Sequence, residues 1–231
     1  SQKTVFGNHC AKFIASDKSR TGNLDGNPIH KDMEFAAKEA KLAFILNVAI
    51  DADKKVIAAF AGDPFKAHEE GCAFVKGLSV VEGTDADIVI TTNGGYPLDQ
   101  NIYQSVKSMT AAEACAKPDG IIIEASKCND GHGGESFYQT FKNAKSAQEV
   151  EDTILKVKME DTIADQWESQ ILARILARHE VLYVADESAK QILEDMHMQY
   201  VPTIKEALEI ALEKKGKNAK IAVIPEGISV I

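Results

Sequence analysis

Basic runs, long apolar stretches and paired cysteines are what this chain lacks, and each absence removes a class of function. With 26 Lys and Arg against 35 Asp and Glu, the net charge is -9, and no interleaved aromatic and basic surface offsets it. A general nucleic-acid binder is therefore excluded and a small-molecule partner is favoured. The longest apolar run, residues 42–50, is interrupted by Asn47 and falls far short of the roughly 20 residues that span a bilayer. Cys10, Cys72, Cys115 and Cys128 are scattered without a C-x-x-C spacing, which suggests neither a zinc knuckle nor a disulfide framework. A reducing cytoplasm fits that usage best. There is no internal repeat and no low-complexity tract. The chain also lacks an initiator methionine and a targeting pattern, opening directly into Ser1-Gln-Lys-Thr, so it reads as a piece of a longer protein.

What is present is enough for a real core: 231 residues with 45% hydrophobic content form one large or two small domains. The first part predicts a helix over 29–41, a strand over 42–50, a polar turn at 51–55, a second strand over 56–61 and a helix over 65–76. After a polar, glycine-containing link at 81–85 the rhythm changes. Strands at 87–92, 121–125, 181–185 and 220–224 alternate with helices at 98–116, 163–178, 188–196 and 203–215, with two helical stretches between 125 and 163. This alternation predicts an α/β fold with a doubly wound, mostly parallel sheet of Rossmann-like type, preceded by a partial α/β segment of another domain. The strands are short and almost wholly apolar, as expected when helices cover both faces.

The segment from Thr91 to Lys107 joins a strand end, a glycine turn and a helix. Asn93-Gly94-Gly95 can turn the chain sharply, and Pro97 with Asp99 suits a first helical turn. At 100° per residue, Ile102, Val106, Met109, Ala112 and Ala116 share a stripe facing the sheet, leaving Gln100, Gln104 and Lys107 opposite with Tyr103 between. An ammonium, two amides and a phenol can together hold a small carboxylate. The same spacing also fits an ordinary solvated face.

A second loop lies at the same strand edge, where Ile121 to Ser126 runs into Lys127-Cys-Asn-Asp-Gly-His-Gly-Gly-Glu135. Backbone N–H groups here can bind an anion, and Asp130, His132 and Glu135 can bind a metal or assist proton transfer. The spacing matches neither a Walker loop nor a dinucleotide fingerprint, and such turns are often purely structural.

Several ordered runs together resemble the carboxyl-terminal half of the nickel-pincer-dependent lactate racemases. They are Asn8-His9 before Phe13-Ile14-Ala15, Arg20-Thr-Gly-Asn, Asn27-x-Ile-His30, Phe60-Ala-Gly-Asp63, the run from Asn93 to Gln104, Asp130-Gly-His-Gly-Gly-Glu135 and Asp165-Gln-Trp167. In that family a pyridinium-3-thioamide-5-thiocarboxylic acid mononucleotide holds nickel in an S,C,S pincer, and a protein histidine supplies the fourth ligand. His9 matches that histidine. The resemblance implies that the Cα hydride of lactate moves to the cofactor while a histidine removes the hydroxyl proton. Return to either face of the resulting pyruvate then racemises the substrate. Tyr103, Gln104 and Lys107 match positions lining the substrate and cofactor site, and Trp167 matches an aromatic residue there.

The residues themselves are compatible with these roles. A neutral imidazole is a good ligand for square-planar divalent nickel, although a lone histidine such as His9 is more often an ordinary surface group. His30, His68, His179 and His197 stay unassigned. Trp167 projects on the flank of its helix beside Gln170, Arg174 and Arg178, either facing a cleft or closing a helix-sheet boundary. The resemblance places the cofactor-attaching lysine and the acid/base histidines in an amino-terminal half absent from this chain, and Lys3, Lys12 and Lys18 do not replace that lysine. Residues 1–83 are then expected to complete the missing cofactor domain, 84–231 to form a separate α/β domain, and the fragment alone to be inactive. Two competing expectations are a non-enzymatic anion- or nucleotide-binding module using the loops at 93–97 and 127–135, and a paralogue acting on another 2-hydroxy acid.

Overall fold

A computed structural model describes residues 2–51 and 53–231. The polar opening segment, for which no element was expected, forms α1 (Gln2–Asn8) and α2 (Ala11–Ile14). Next come α3 (Pro28–Glu39), β1 (Ile45–Ile50), β2 (Val56–Gly62) and α4 (Pro64–Ser79). Helices α3 and α4 each begin with Pro after an N-cap carboxamide or carboxylate: Asn27 and Asp63 each accept two backbone N–H bonds. β1 and β2 pair antiparallel, as the reading of two strands joined by a polar turn suggested. This hairpin leaves Leu46, Val48, Ile50 and Val56 exposed.

The remainder supplies β3 (Ala86–Thr92), α5 (Ile102–Cys115), β4 (Ala116–Ala125), α6 (Glu135–Lys142), α7 (Ala147–Ile154) and α8 (Gln166–Leu176), then β5 (Glu180–Val184), α9 (Lys190–Asp195), β6 (Gln199–Val201), α10 (Ile204–Lys215) and β7 (Ile221–Ile224). All five strands are parallel, in the order β6-β5-β4-β3-β7. This is the expected doubly wound arrangement, with the order reversing at β3.

Strand alternation divides the core. Val89, Ile122, Val181 and Tyr183 face α5 to α9, whereas Ile88, Ile121, Ile123 and Leu182 face α10. Each fully buried aliphatic side chain contributes roughly 1.5–3 kcal/mol. The cover is uneven, because among the described residues α10 alone packs on the second face and Ile221 and Val223 of the edge strand β7 stay exposed.

Three expectations need correction near the site. The helix predicted over 98–116 starts at Ile102, because Asn101 is its cap and Pro97 lies in a turn behind a cis Tyr96–Pro97 bond. Gln100 is consequently not on the helix face, and Ala116 begins β4 rather than ending the apolar stripe. The helix predicted over 163–178 spans only 166–176. The three-residue strand β6 escaped notice since it is too short to show a period.

Candidate functional site

The crevice at the strand-order reversal is filled from within the chain. Thr91 Oγ donates to the Ile224 carbonyl (3.2 Å) and Thr92 Oγ to the Pro225 carbonyl (2.6 Å). A 3-10 turn at Gly227–Ser229 then packs under α5, with Gly227 so close that a Cβ would lie 2.5 Å from Thr91 Oγ.

The 127–135 loop builds that first turn. Ile102 N–H donates to Gly131 O (3.1 Å) and Tyr103 N–H to His132 O (3.3 Å), while Asn101 Oδ1 accepts from Gln104 N–H (3.0 Å). In return Cys128 N–H and Asp130 N–H donate to Asp99 O and Gln100 O, and Asn101 Nδ2 donates to Asp130 Oδ2. Three orphan donors of a helix end are thereby satisfied by protein. Gly133, at φ 79, lies where a Cβ would come within 2.9 Å of Tyr103 Cβ.

This arrangement bears on the anion-binding role considered for the loop from sequence. Its N–H groups at Cys128, Asp130, Gly131 and Gly134 are already bonded, so it is not an open anion cradle. His132 accepts from Gly134 N–H at Nδ1 (3.0 Å), faces Glu135 with Nε2 (3.4 Å) and stacks on Tyr138 at 4.9 Å. Among the described residues, no three His, Cys, Asp or Glu side chains form a metal-binding group.

The candidate residues from α5 and α8 do converge. The Tyr103 ring meets Phe137 edge-on at 5.4 Å, and its hydroxyl donates to Asp165 Oδ1 at 3.2 Å. Burial first, then Glu168 and Asp165, push the phenol up to about 12, so it stays protonated. Lys107 Nζ donates to Gln104 Oε1 at 2.7 Å, one turn along the same face. Lys107 also lines a cavity of about 810 Å³ together with Arg20, Glu113, Glu168 and Arg174. Arg174 forks onto Glu113 at 2.6 and 2.9 Å, which neutralises that pair. Glu168 is pushed up to about 7, mainly by burial, with Lys107 opposing and Asp165 reinforcing the shift.

His9 arrives from the other side, in the turn between α1 and α2. Its Nδ1 faces the Val5 carbonyl at 3.1 Å, a contact that places the ring proton on Nδ1 and leaves Nε2 with a free lone pair. The imidazole lies 5.0 Å from the Trp167 indole, and Phe6 flanks the same indole at 6.1 Å. The segment is docked by Gln170 Nε2 donating to Ala11 O (2.9 Å) and Asn8 Nδ2 to Asp32 (2.9 Å). Gln170 itself is packed in the interior. A single imidazole nitrogen is a donor compatible with a borderline divalent metal.

The other histidines lie elsewhere: His30 stacks on His68 at 5.4 Å, while His179 and His197 bond backbone carbonyls. Sequence reasoning passed over Asp165, Glu168 and Asn101. Asp165 stood inside a quoted run but was not given a role, and Glu168 carries no signal until its burial is seen.

A doubly wound α/β domain with a polar helix face, joined by a histidine-bearing segment at the start of α8, defines the class. Residues 81–231 match the family model for the lactate racemase C-terminal domain, and the chain belongs to that family. It is 53% identical over all 231 residues to a lactate racemase of Thermoanaerobacterium thermosaccharolyticum and 52% identical to one of Lactiplantibacillus plantarum. The solved lactate racemase apoprotein of the former superposes with a TM-score of 0.96 over 98% of this chain. The chain spans about half of these relatives, 54% of their length.

Proposed function

We propose that the full-length protein racemises lactate, a short 2-hydroxy acid, using a nickel-pincer nucleotide, and that this chain is its carboxyl-terminal half. The observation that carries the reading is His9: its Nδ1 is tied to Val5 O, and its free nitrogen belongs to a ring packed against Trp167. The relatives' printed name supplies the substrate. When bound, the nickel-pincer group supplies a reversible acceptor for the Cα hydrogen with its electron pair.

The chain's own residues then hold and shield the reactants. His9 Nε2 ligates the metal. Trp167 offers a flat apolar wall that excludes water and orients a small acid. Lys107, held beside Gln104, supplies positive charge for the substrate carboxylate, and Gln104 adds an amide. Tyr103 remains neutral and marks the edge of the pocket. The proton-transfer histidines and the cofactor-bearing lysine belong to the half of the relatives' length outside this chain, so the fragment alone is inactive. Residues 1–83, with their bare hairpin face, complete the domain of that half, and 84–231 form the second domain, in a cytoplasmic protein. Among the described residues no helix is long and apolar enough to cross a membrane.

Incubating the full-length, cofactor-loaded protein with pure L-lactate tests this reading. Convergence on equal amounts of both enantiomers without net redox change is expected. A loaded protein that leaves lactate unchanged but racemises a larger 2-hydroxy acid replaces the substrate, and inertness toward all 2-hydroxy acids overturns the reading.

A further inference from the structure

We propose that Asp165 is a positioning residue for Tyr103, joining the start of α8 to the first turn of α5 so that Trp167 and Tyr103 are set together; its role in turnover rests on the racemase reading. The argument begins with what Asp165 gives up. It occupies the N-cap of α8, where an Asp side chain ordinarily accepts an N–H bond from the first turn, a contribution of about 0.5–2 kcal/mol. Here it makes no such bond. Its backbone is also left-handed, at φ 62 and ψ 4, a conformation uncommon for a residue with a Cβ.

Both departures turn the side chain toward one partner. Asp165 Oδ1 accepts from the Tyr103 hydroxyl, 62 residues away in sequence, at 3.2 Å. Such local cost at a residue beside a functional cluster is characteristic of positions fixed by a task other than stability. The opposite side of Tyr103 is equally constrained, by Phe137 at its ring edge and by Gly133 against its Cβ. The phenol therefore has one orientation.

Two chemical consequences follow. A phenol has a single proton, and it is engaged by Asp165, so Tyr103 presents its ring and oxygen lone pairs to the pocket instead of acting as a proton donor. The Trp167 indole bears on the same oxygen and draws its pKa the other way from the two nearby carboxyl groups. Asp165, Tyr103 and Trp167 thus form a short chain that ends at His9, and loosening its first member lets both aromatic walls move.

Four versions of the full-length protein test this: Asp165→Gly, Asp165→Asn, Tyr103→Phe and the Tyr103→Phe/Asp165→Gly double variant. Glycine keeps the left-handed backbone but deletes the acceptor, and asparagine tolerates that backbone while keeping an acceptor oxygen. For lactate racemisation, Asp165→Gly is expected to lower kcat about tenfold with KM changed less, and Asp165→Asn to restore most of it. The double variant should be no slower than Tyr103→Phe alone, because the two residues act through one contact. Additive losses, an Asp165→Gly enzyme as fast as the parent, or no rescue by asparagine overturn the proposal. Chemical unfolding of the same four proteins is measured in parallel. If the parent does not racemise lactate, the racemase reading fails by itself, while additive unfolding effects of the two substitutions overturn the Asp165–Tyr103 pairing and non-additive effects support it.

Discussion

The His9 imidazole and the Trp167 indole lie 5.0 Å apart, centroid to centroid, at an interplanar angle of 56°. They come from the turn between α1 and α2 and from the first turn of α8, and the contact makes Trp167 a wall beside the proposed ligand. An indole has no group that titrates near neutral pH, so its contribution is shape and exclusion of water. Trp167→Ala is expected to lower turnover about tenfold or more, and Trp167→Phe to retain more, with fold and nickel content largely kept in both. Racemisation rate, nickel content and circular dichroism measured together check this. A Trp167→Ala protein as active as the parent makes Trp167 a packing residue.

Lys107 is exposed and bonded to Gln104, so its removal disturbs no core. Lys107→Ala should reduce lactate turnover by about 10²-fold while leaving cofactor retention near the parent level. Steady-state kinetics with cofactor content by intact mass check it. Equal loss of both assigns Lys107 to cofactor anchoring instead.

Much of this is legible in the sequence. The alternation of apolar strands and amphipathic helices defines the parallel sheet, and Ile102, Val106, Met109 and Ala112 are all buried as their spacing requires. Helix starts were less legible, because Pro97 and Asp99 carry the right chemistry for a first turn while Asn101, two residues on, takes the capping bond. The pairing of His9 with Trp167 is a contact between residues distant in sequence and leaves no trace in spacing. Asp165 was missed because a left-handed Asp at an N-cap looks identical in sequence to one that caps.

Glu124 is fully buried on β4, where Ser108 Oγ donates to it at 2.8 Å, and burial pushes its carboxyl from 4.5 up to about 8. The folded state therefore keeps a proton that the unfolded chain releases above about pH 4.5. The associated stability is fully present below that pH and is lost progressively as pH rises toward 8. Glu124→Gln should flatten this decline, with the difference growing to the order of 3 kcal/mol near pH 8. Urea unfolding at pH 5 and pH 8 measures it. Parallel pH dependences in both proteins contradict it.

Gly133 combines a φ of 79 with no room for a Cβ, which would lie 2.7 Å from Asn101 Cγ and 2.9 Å from Tyr103 Cβ. Gly133→Ala should destabilise the protein by about 1–3 kcal/mol through strain and a displaced cap. Because the Asn101 cap moves with it, turnover should fall as well. An unchanged melting temperature and unchanged rate would show that the loop does not set the first turn of α5.

Nickel content is the most direct test of the central claim that His9 is the protein ligand of a nickel-bearing cofactor. Full-length parent and His9→Ala proteins, each coexpressed with the proteins that make the cofactor, are compared by metal analysis, with circular dichroism as the control for folding. The parent should carry close to one nickel per chain, and His9→Ala should lose most of it along with racemase activity while keeping its fold. Normal nickel content in His9→Ala, or a parent that takes up no nickel, contradicts the account.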